Sequence, residues 1–285
     1  MTDTKDRIPL GAFGVWRGGV SESAFAVALE QLGYGTLWLG SSPSADLADA
    51  ERLLDATSSL VIATGIVNIW NSPADEVARS YQRIAARHPD RFLLGVGAGH
   101  PEATAEFTKP YDALSAYLDV LDEGGVPKER RVLAALGPRV LRLAADRTAG
   151  AHPYLTTPLH TREARELLGP GPLLAPEQKV VLNQDTAEAR SVGRATLSYY
   201  LRLRNYTNSL RRIGFEDADL AGEGSDRLVD ELAVHGSDAV VAAGVRAHLE
   251  AGADHVAIQV LGEDDQVPAL RALAAQLKLK PEQPA

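Results

Sequence analysis

The stretch "RFLLGVGAGHPEA", residues 91–103, carries the question of the fold. An apolar run ends in Gly95, Gly97 and Gly99, and His100 follows at once. One reading is the phosphate-cradling loop of a dinucleotide-binding sheet. That loop needs a third glycine in the G-x-G-x-x-G spacing, then a helix N-terminus whose dipole meets the pyrophosphate. His100 stands in the third glycine's place, Pro101 follows, and the next clear helical pattern begins near Tyr111. The nucleotide-loop reading therefore fails. The other reading is a barrel strand. Glycines on alternate positions of a strand face the same way and leave room in a barrel mouth for something flat and bulky. His100 then stands at the rim, where an imidazole can give or take a proton near neutral pH. A tight corner with a solvent-exposed histidine fits the same residues and stays open.

Working outward, β-rich runs alternate with helical patterns along the whole chain. The runs cover 8–16, 35–40, 60–70, 91–99, 131–137, 151–155, 179–184 and 254–261. Helix signals lie between them. Ser21 caps a helix that ends at Gly33, a glycine of the kind that takes the left-handed turn. Ser72 caps the next well-marked helix with Pro73 at its first position, Pro138 opens another, and Thr161 caps 159–169. This alternation predicts one (β/α)8 TIM barrel over residues 1–285, with a helical insertion at 186–235 between strands seven and eight. A doubly wound sheet would place its phosphate loop at 16–23, and "WRGGVSES" lacks that fingerprint. The tails at 1–6 and 279–285 are expected to fray.

Composition narrows the function. The net charge of −9, from 29 basic and 38 acidic residues, disfavours nucleic acid and anionic membrane surfaces. No cysteine is present, which removes disulfides, thiolate nucleophiles and Cys-based zinc sites. No apolar window is long enough to span a bilayer, and the first residues do not read as a signal peptide. The cytoplasm is the expected compartment. His100, His152 and His160 lie in different loops without ligand spacing, so no metal is expected. Lys179 falls at the start of the seventh run, the wrong end for a barrel Schiff base, and aldolase chemistry is set aside.

Barrel enzymes place their chemistry at the C-terminal ends of strands. Strand two ends in Ser41 and Ser42, which offer only hydroxyls. Strand three ends "TGIVNIWNSP", with Gly65, Asn68, Trp70 and Asn71; Gly65 suggests a bulge or a close ligand approach. Trp70 fits either stacking on a ring or covering the barrel. Strand six ends "AHPYLTTPLHT", with His152, Tyr154, Thr156, Thr157 and His160 ahead of a helix. Hydroxyls and a helix N-terminus make a phosphate site there; ordinary capping by Thr161 is the plainer alternative.

The segments "GYGTLWLG", "TGIVNIWNSPADEVARSY", "HPDRFLLGVGAGHP", "RVLAALGPRVLRLAADRTAGAHPYLTTPLHT" and "GADHVAIQVL" span nearly the whole chain in one order. As a set they resemble the bacterial luciferase-like family, and within it the actinobacterial branch that depends on the deazaflavin coenzyme F420. The resemblance implies a barrel with the cofactor ring in its mouth and a non-proline cis peptide behind the ring near Gly65–Ile66. It implies cofactor contacts from Gly65, Ile66, Asn68, Gly97 and Gly99. Tyr154, Leu155, Thr156 and Thr157 match the phosphate-binding region, and Gly137, Pro138 and His152 line the ring's far side. Related dehydrogenases carry an acidic residue where His100 stands and a histidine where Ser41 or Ser42 stands. The chain thus departs at both catalytic positions and looks unlike a sugar-phosphate dehydrogenase. The implied activity is hydride transfer between F420 and an unknown small organic substrate, with His100 as acid or base. The alternatives are an FMN-dependent monooxygenase and a non-catalytic flavin- or deazaflavin-binding protein. Ser41, Ser42, Trp70 and Tyr206 are the substrate candidates. In the insertion, Arg202, Arg204, Tyr206 and Asn208 either meet substrate or form a solvated or dimer-forming face. The family also implies a homodimer.

Overall fold

Val, Ile, Leu and Trp cluster between turn signals, and strands form there: β1 (Phe13–Arg17), β2 (Thr36–Leu39), β3 (Val61–Thr64), β4 (Val67–Asn68), β5 (Phe92–Gly97), β6 (Arg131–Leu133), β7 (Gly150–Ala151), β8 (Leu173–Leu174), β9 (Glu177–Val181), β10 (Ala233–His235) and β11 (Val256–Val260). The computed structural model describes residues 8–100 and 109–280. The tail residues 1–6 and 281–285, and Pro101 to Ala103 of the opening stretch, lie outside the described residues. Between the strands run α1 (Ser23–Leu32), α2 (Ala48–Ala56), α3 (Ala74–Arg87), α4 (Pro110–Glu123), α5 (Pro138–Arg147), α6 (Pro158–Leu168), α7 (Thr186–Tyr200), α8 (Arg204–Arg212), α9 (Asp217–Leu220), α10 (Asp226–Leu232), α11 (Asp238–Glu250) and α12 (Val267–Leu277). No helix among the described residues is long and apolar enough to cross a membrane.

All strand pairs are parallel, in the order β10-β9-β11-β1-β2-β3-β5-β6-β7-β8, with β4 on β5. Residues 173–181 close the circuit, pairing through Ala175 N–H to Ala151 O on one side and accepting Ala257 N–H at Pro176 O on the other, each 2.9 Å. The result is the expected parallel barrel. The insertion is helical as expected, α7 to α10, and it ends in an unforeseen strand, β10, that pairs with β9.

Alternation along each strand divides the core. Val15, Leu37, Ile62, Leu94, Leu133, Val180 and Ile258 face the helices. Trp16, Trp38, Val61, Ala63, Leu93, Val132, Ala175 and Ala257 fill the barrel. The insertion has its own core around Leu197, Tyr206, Leu210 and Leu228, joined to Leu155 and Val181.

Strand one begins at Phe13; Ile8 and Leu10 join the interior cluster, and Leu10 O accepts from Thr36 Oγ1 at 2.8 Å. The third run is not continuous, because a cis peptide at Gly65–Ile66 separates β3 from β4. Glu22, not Ser21, is the N-cap of α1, and Ser21 is buried. Pro73 keeps extended ψ and is itself the N-cap of α3, while Ser72 O accepts the Tyr117 hydroxyl. Thr157 caps α6 by accepting His160 N–H, and Thr161 is buried inside the helix with its hydroxyl on His248 Nδ1. Strand seven begins at Leu173, which places Lys179 in mid-strand with its ammonium inside the barrel.

Three buried histidines stay neutral. His152 stacks on Trp38 at 4.0 Å and donates Nδ1–H to Ala175 O. His255 donates Nδ1–H to Gly11 O and accepts Trp38 Nε1–H at Nε2. His248 donates Nε2–H to Gln178 Oε1 and accepts from Thr161. Burial lowers their pKa to about 4, about 4 and about 3 respectively. The unfolded chain takes up these protons near pH 6.5, the folded chain only well below it. Stability is therefore present above about pH 6.5 and falls as pH drops toward 4, by at most about 1.4 kcal/mol per pH unit for each ring. Urea unfolding at pH 7.5 and pH 5 checks this; equal stabilities would contradict it.

Candidate functional site

β5 ends at Gly97 rather than Gly99; Gly95 and Gly97 face inward, Gly99 follows the strand at φ 58°, and neighbouring groups take the room all three clear. A Cβ at Gly95 would lie 2.0 Å from Thr64 O. One at Gly97 would meet Ala134 Cβ at 2.9 Å and Ile66 Cδ1 at 3.0 Å, and one at Gly99 would meet Asn68 Nδ2 at 2.7 Å. The bulged segment 65–68 thus fits into the space along β5. Thr64 fastens it, donating its hydroxyl to Gly95 O and accepting Gly95 N–H, both 2.8 Å.

Trp16, from β1, packs between Gly40 and Gly65 at this end of the barrel. Its Nε1–H donates to Gly65 O at 3.1 Å. A Cβ at Gly40 would lie 2.2 Å from the indole, and one at Gly65 would lie 2.7 Å from its Nε1 and 3.1 Å from His152 Nε2. These two glycines make room for Trp16. Around it, Gly65, Ile66, Asn68, Gly99, His100, Ala134, Leu136, Gly137 and Tyr154 are half-buried rather than sealed.

The insertion closes over this wall. His100 Nδ1 lies 3.1 Å from Asn205 Oδ1 of α8, and an amide oxygen only accepts, so Nδ1 carries a proton. Tyr206, next along, is buried with its ring 5.0 Å from the His100 ring. Tyr154 sits among Trp16 at 5.1 Å, Tyr200 at 5.3 Å and Tyr206 at 6.2 Å. Its hydroxyl donates to Gln259 Oε1 at 3.0 Å and so accepts from the Tyr200 hydroxyl at 2.8 Å. Burial holds the Tyr154 and Tyr206 hydroxyls well above the ordinary phenol range, so both are neutral donors.

Beneath Tyr154 lies Lys179, its ammonium 3.7 Å from the ring centre and 3.0 Å from the Glu177 carboxylate. Burial pushes Glu177 up and Lys179 down, and their mutual attraction opposes both shifts. Glu177 Oε2 also accepts Leu155 N–H at 3.2 Å. Leu155 is buried at φ 59°, followed by buried Thr156 and Thr157. Two buried polar atoms of this segment, His152 Nε2 and Thr156 Oγ1, have no hydrogen-bond partner.

Gly137 is the N-cap of α5 and Pro138 its exposed first residue. Leu136 O accepts from His160 Nε2 and from Arg212, each 3.0 Å, which brings a cation to this rim. Trp70 Nε1–H donates to Ala98 O at 2.6 Å, so Trp70 covers the end of β5. Ser41 and Ser42 are exposed with φ near +55°, and Ser41 Oγ accepts Gly19 N–H. Arg202, Arg204 and Asn208 are exposed, whereas Tyr206 turns into the site. Sequence reading did not single out Trp16, Glu177, Tyr200, Asn205, Arg212 or Gln259.

The mouth of this parallel barrel is built on the cis peptide at the end of strand three and closed by the helical insertion. Residues 21–124 match the family model for luciferase-like monooxygenases, and the resemblance to that family is borne out there. Solved structures share the fold over most of the chain. An F420-dependent secondary alcohol dehydrogenase in complex with an F420–acetone adduct is 13% identical, covering 94% of this chain and 98% of that one, with TM-score 0.74. The coenzyme F420-dependent tetrahydromethanopterin reductase from Methanopyrus kandleri is 12% identical, covering 94% and 99%, with TM-score 0.69. The oxygenating constituent of 3,6-diketocamphane monooxygenase from Pseudomonas putida, a type II Baeyer–Villiger enzyme in complex with FMN, is 16% identical, covering 94% and 97%, with TM-score 0.68. No curated protein matches the chain.

Proposed function

We propose that the protein is an oxidoreductase that takes coenzyme F420 in the barrel mouth and exchanges a hydride with a small organic substrate. The observation that carries this reading is the pair of buried, unpartnered polar atoms, His152 Nε2 and Thr156 Oγ1, on the segment that borders the half-buried wall. A buried polar atom without a partner costs about 1–3 kcal/mol, and a ligand that supplies the partners removes that cost. The residues fit such a ligand. Gly65, Ile66, Asn68, Gly97 and Gly99 would support a flat ring, with Ala134 and Leu136 adding apolar surface. His152 would accept a hydrogen bond, since its proton is on Nδ1. Tyr154, Leu155, Thr156 and Thr157 would face the phosphate-bearing arm at the N-terminus of α6, with Gly137 and Pro138 at that of α5.

A bound deazaflavin supplies the carbon that gives or takes hydride. The chain's own part is orientation and a proton. His100, with Nδ1–H turned to Asn205, would be the acid or base that handles the substrate's proton. Ser41, Ser42, Trp70 and Tyr206 would bound the substrate, and the enzyme would act as a homodimer. The FMN-bound neighbour favours a second reading, an FMN-dependent monooxygenase with the same residues around the ring. Oxidation of reduced F420 by a panel of ketones, enones and imines distinguishes the two. Turnover without oxygen is the expected result. Oxygen-dependent turnover with reduced FMN and none with F420 would overturn the first reading.

A further inference from the structure

A carboxylate and an ammonium lie wholly inside the barrel, on one face of β9. Glu177 is 1% exposed and Lys179 0%. Removing two charges from water is costly, and packed apolar side chains often stabilise a fold as well as such a pair does. Stability alone is thus a poor account of this one. Beyond each other, the two residues contact the segment that leads into α6. Glu177 Oε2 accepts Leu155 N–H at 3.2 Å, and the Lys179 ammonium lies 3.7 Å from the centre of the Tyr154 ring. Leu155 stands at φ 59°, a region that leucine rarely adopts, so its conformation needs an outside hold. Directly after it come the unpartnered Thr156 hydroxyl and the Thr157 cap of α6.

We propose that Glu177 and Lys179 are positioning residues for the cofactor: Glu177 holds the Leu155 turn, Lys179 holds the Tyr154 ring, and together they aim residues 154–157 at the ligand. This rests on the reading that a flavin or deazaflavin binds in the mouth. The pair acts through the segment and does not touch substrate.

Two double variants of the full chain separate positioning from stability. E177M/K179M replaces the pair by apolar side chains. E177Q/K179M removes both charges but keeps an oxygen able to accept Leu155 N–H. Titrations with F420 and with FMN give the dissociation constants, and thermal unfolding gives stability. E177M/K179M is expected to bind the preferred ring about tenfold more weakly or worse, as for loss of a hydrogen bond to a charged group, and E177Q/K179M to recover most of that loss. Equal binding by E177M/K179M and wild type overturns the proposal. So does equal weakening of both variants in step with equal loss of thermal stability. Amide exchange of the wild-type chain gives a readout that needs no variant: Leu155 N–H should exchange slowly, and rapid exchange overturns the proposal even where E177M/K179M does not fold. A wild type that binds neither ring overturns the functional reading and this proposal together, whereas a wild type that binds, with E177M/K179M unchanged, overturns this proposal alone.

Discussion

Gly95→Ala is expected to destabilise the protein by about 3 kcal/mol or more, at or beyond the usual cost of overpacking a core. The new Cβ would lie 2.0 Å from Thr64 O, a backbone atom. Strand β3 cannot easily retreat, because Thr64 pairs with Leu39 of β2 and Gly65 N–H donates to Leu39 O at 2.8 Å. The bonds between Thr64 Oγ1 and Gly95 would break with any shift. Gly97→Ala makes a useful contrast. Its Cβ meets Ala134 Cβ at 2.9 Å and Ile66 Cδ1 and Cγ1 at 3.0 Å, so a far smaller displacement relieves it than the 2.0 Å approach of Gly95 to a backbone oxygen. Urea unfolding should rank Gly95→Ala well below Gly97→Ala. A Gly95→Ala protein within about 1 kcal/mol of wild type, the range of an ordinary substitution, would contradict this packing.

His100→Ala should lower turnover about 10²- to 10⁴-fold, the usual contribution of a positioned acid or base. The cofactor's dissociation constant should stay nearly constant, because His100 is tied to Asn205 and Tyr206 rather than to the segment 152–157. Asn205→Ala should cost less, since it removes only the group that orients the imidazole. Full turnover by His100→Ala would show that the proton route lies elsewhere.

Much of the fold was legible because its signals are local. The alternation of β-runs and helices gave the barrel, the gap between the last two strands gave the insertion, and Gly33 ends α1 in the left-handed turn expected of it, at φ 84°. Caps were read less well: Ser21, Ser72 and Thr161 are all buried by tertiary packing, and Glu22, Pro73 and Thr157 hold the N-cap positions. Strand seven was placed late because Pro176 interrupts its apolar pattern. That error put Lys179 at the wrong end of its strand and hid its pairing with Glu177. The site was legible only where one strand end carries several polar residues, as at 152–157. Trp16, Gln259 and the pair Tyr200 and Asn205 come from three separate parts of the chain, and only closure of the barrel and folding of the insertion bring them to one mouth. Gly95, Gly97 and Gly99 had a visible pattern whose partners were not: Thr64, Ile66, Asn68 and Ala134 take the room that the pattern promised.

The central claim is that the mouth between Ile66 and Tyr154 receives a deazaflavin ring. Fluorescence titration of F420 with the purified protein tests it directly. Saturable quenching with a dissociation constant of about micromolar order, as for a specific small-molecule site, is the predicted result. F420 fluorescence that stays unchanged at excess protein, with tight binding of FMN in the same assay, would contradict it.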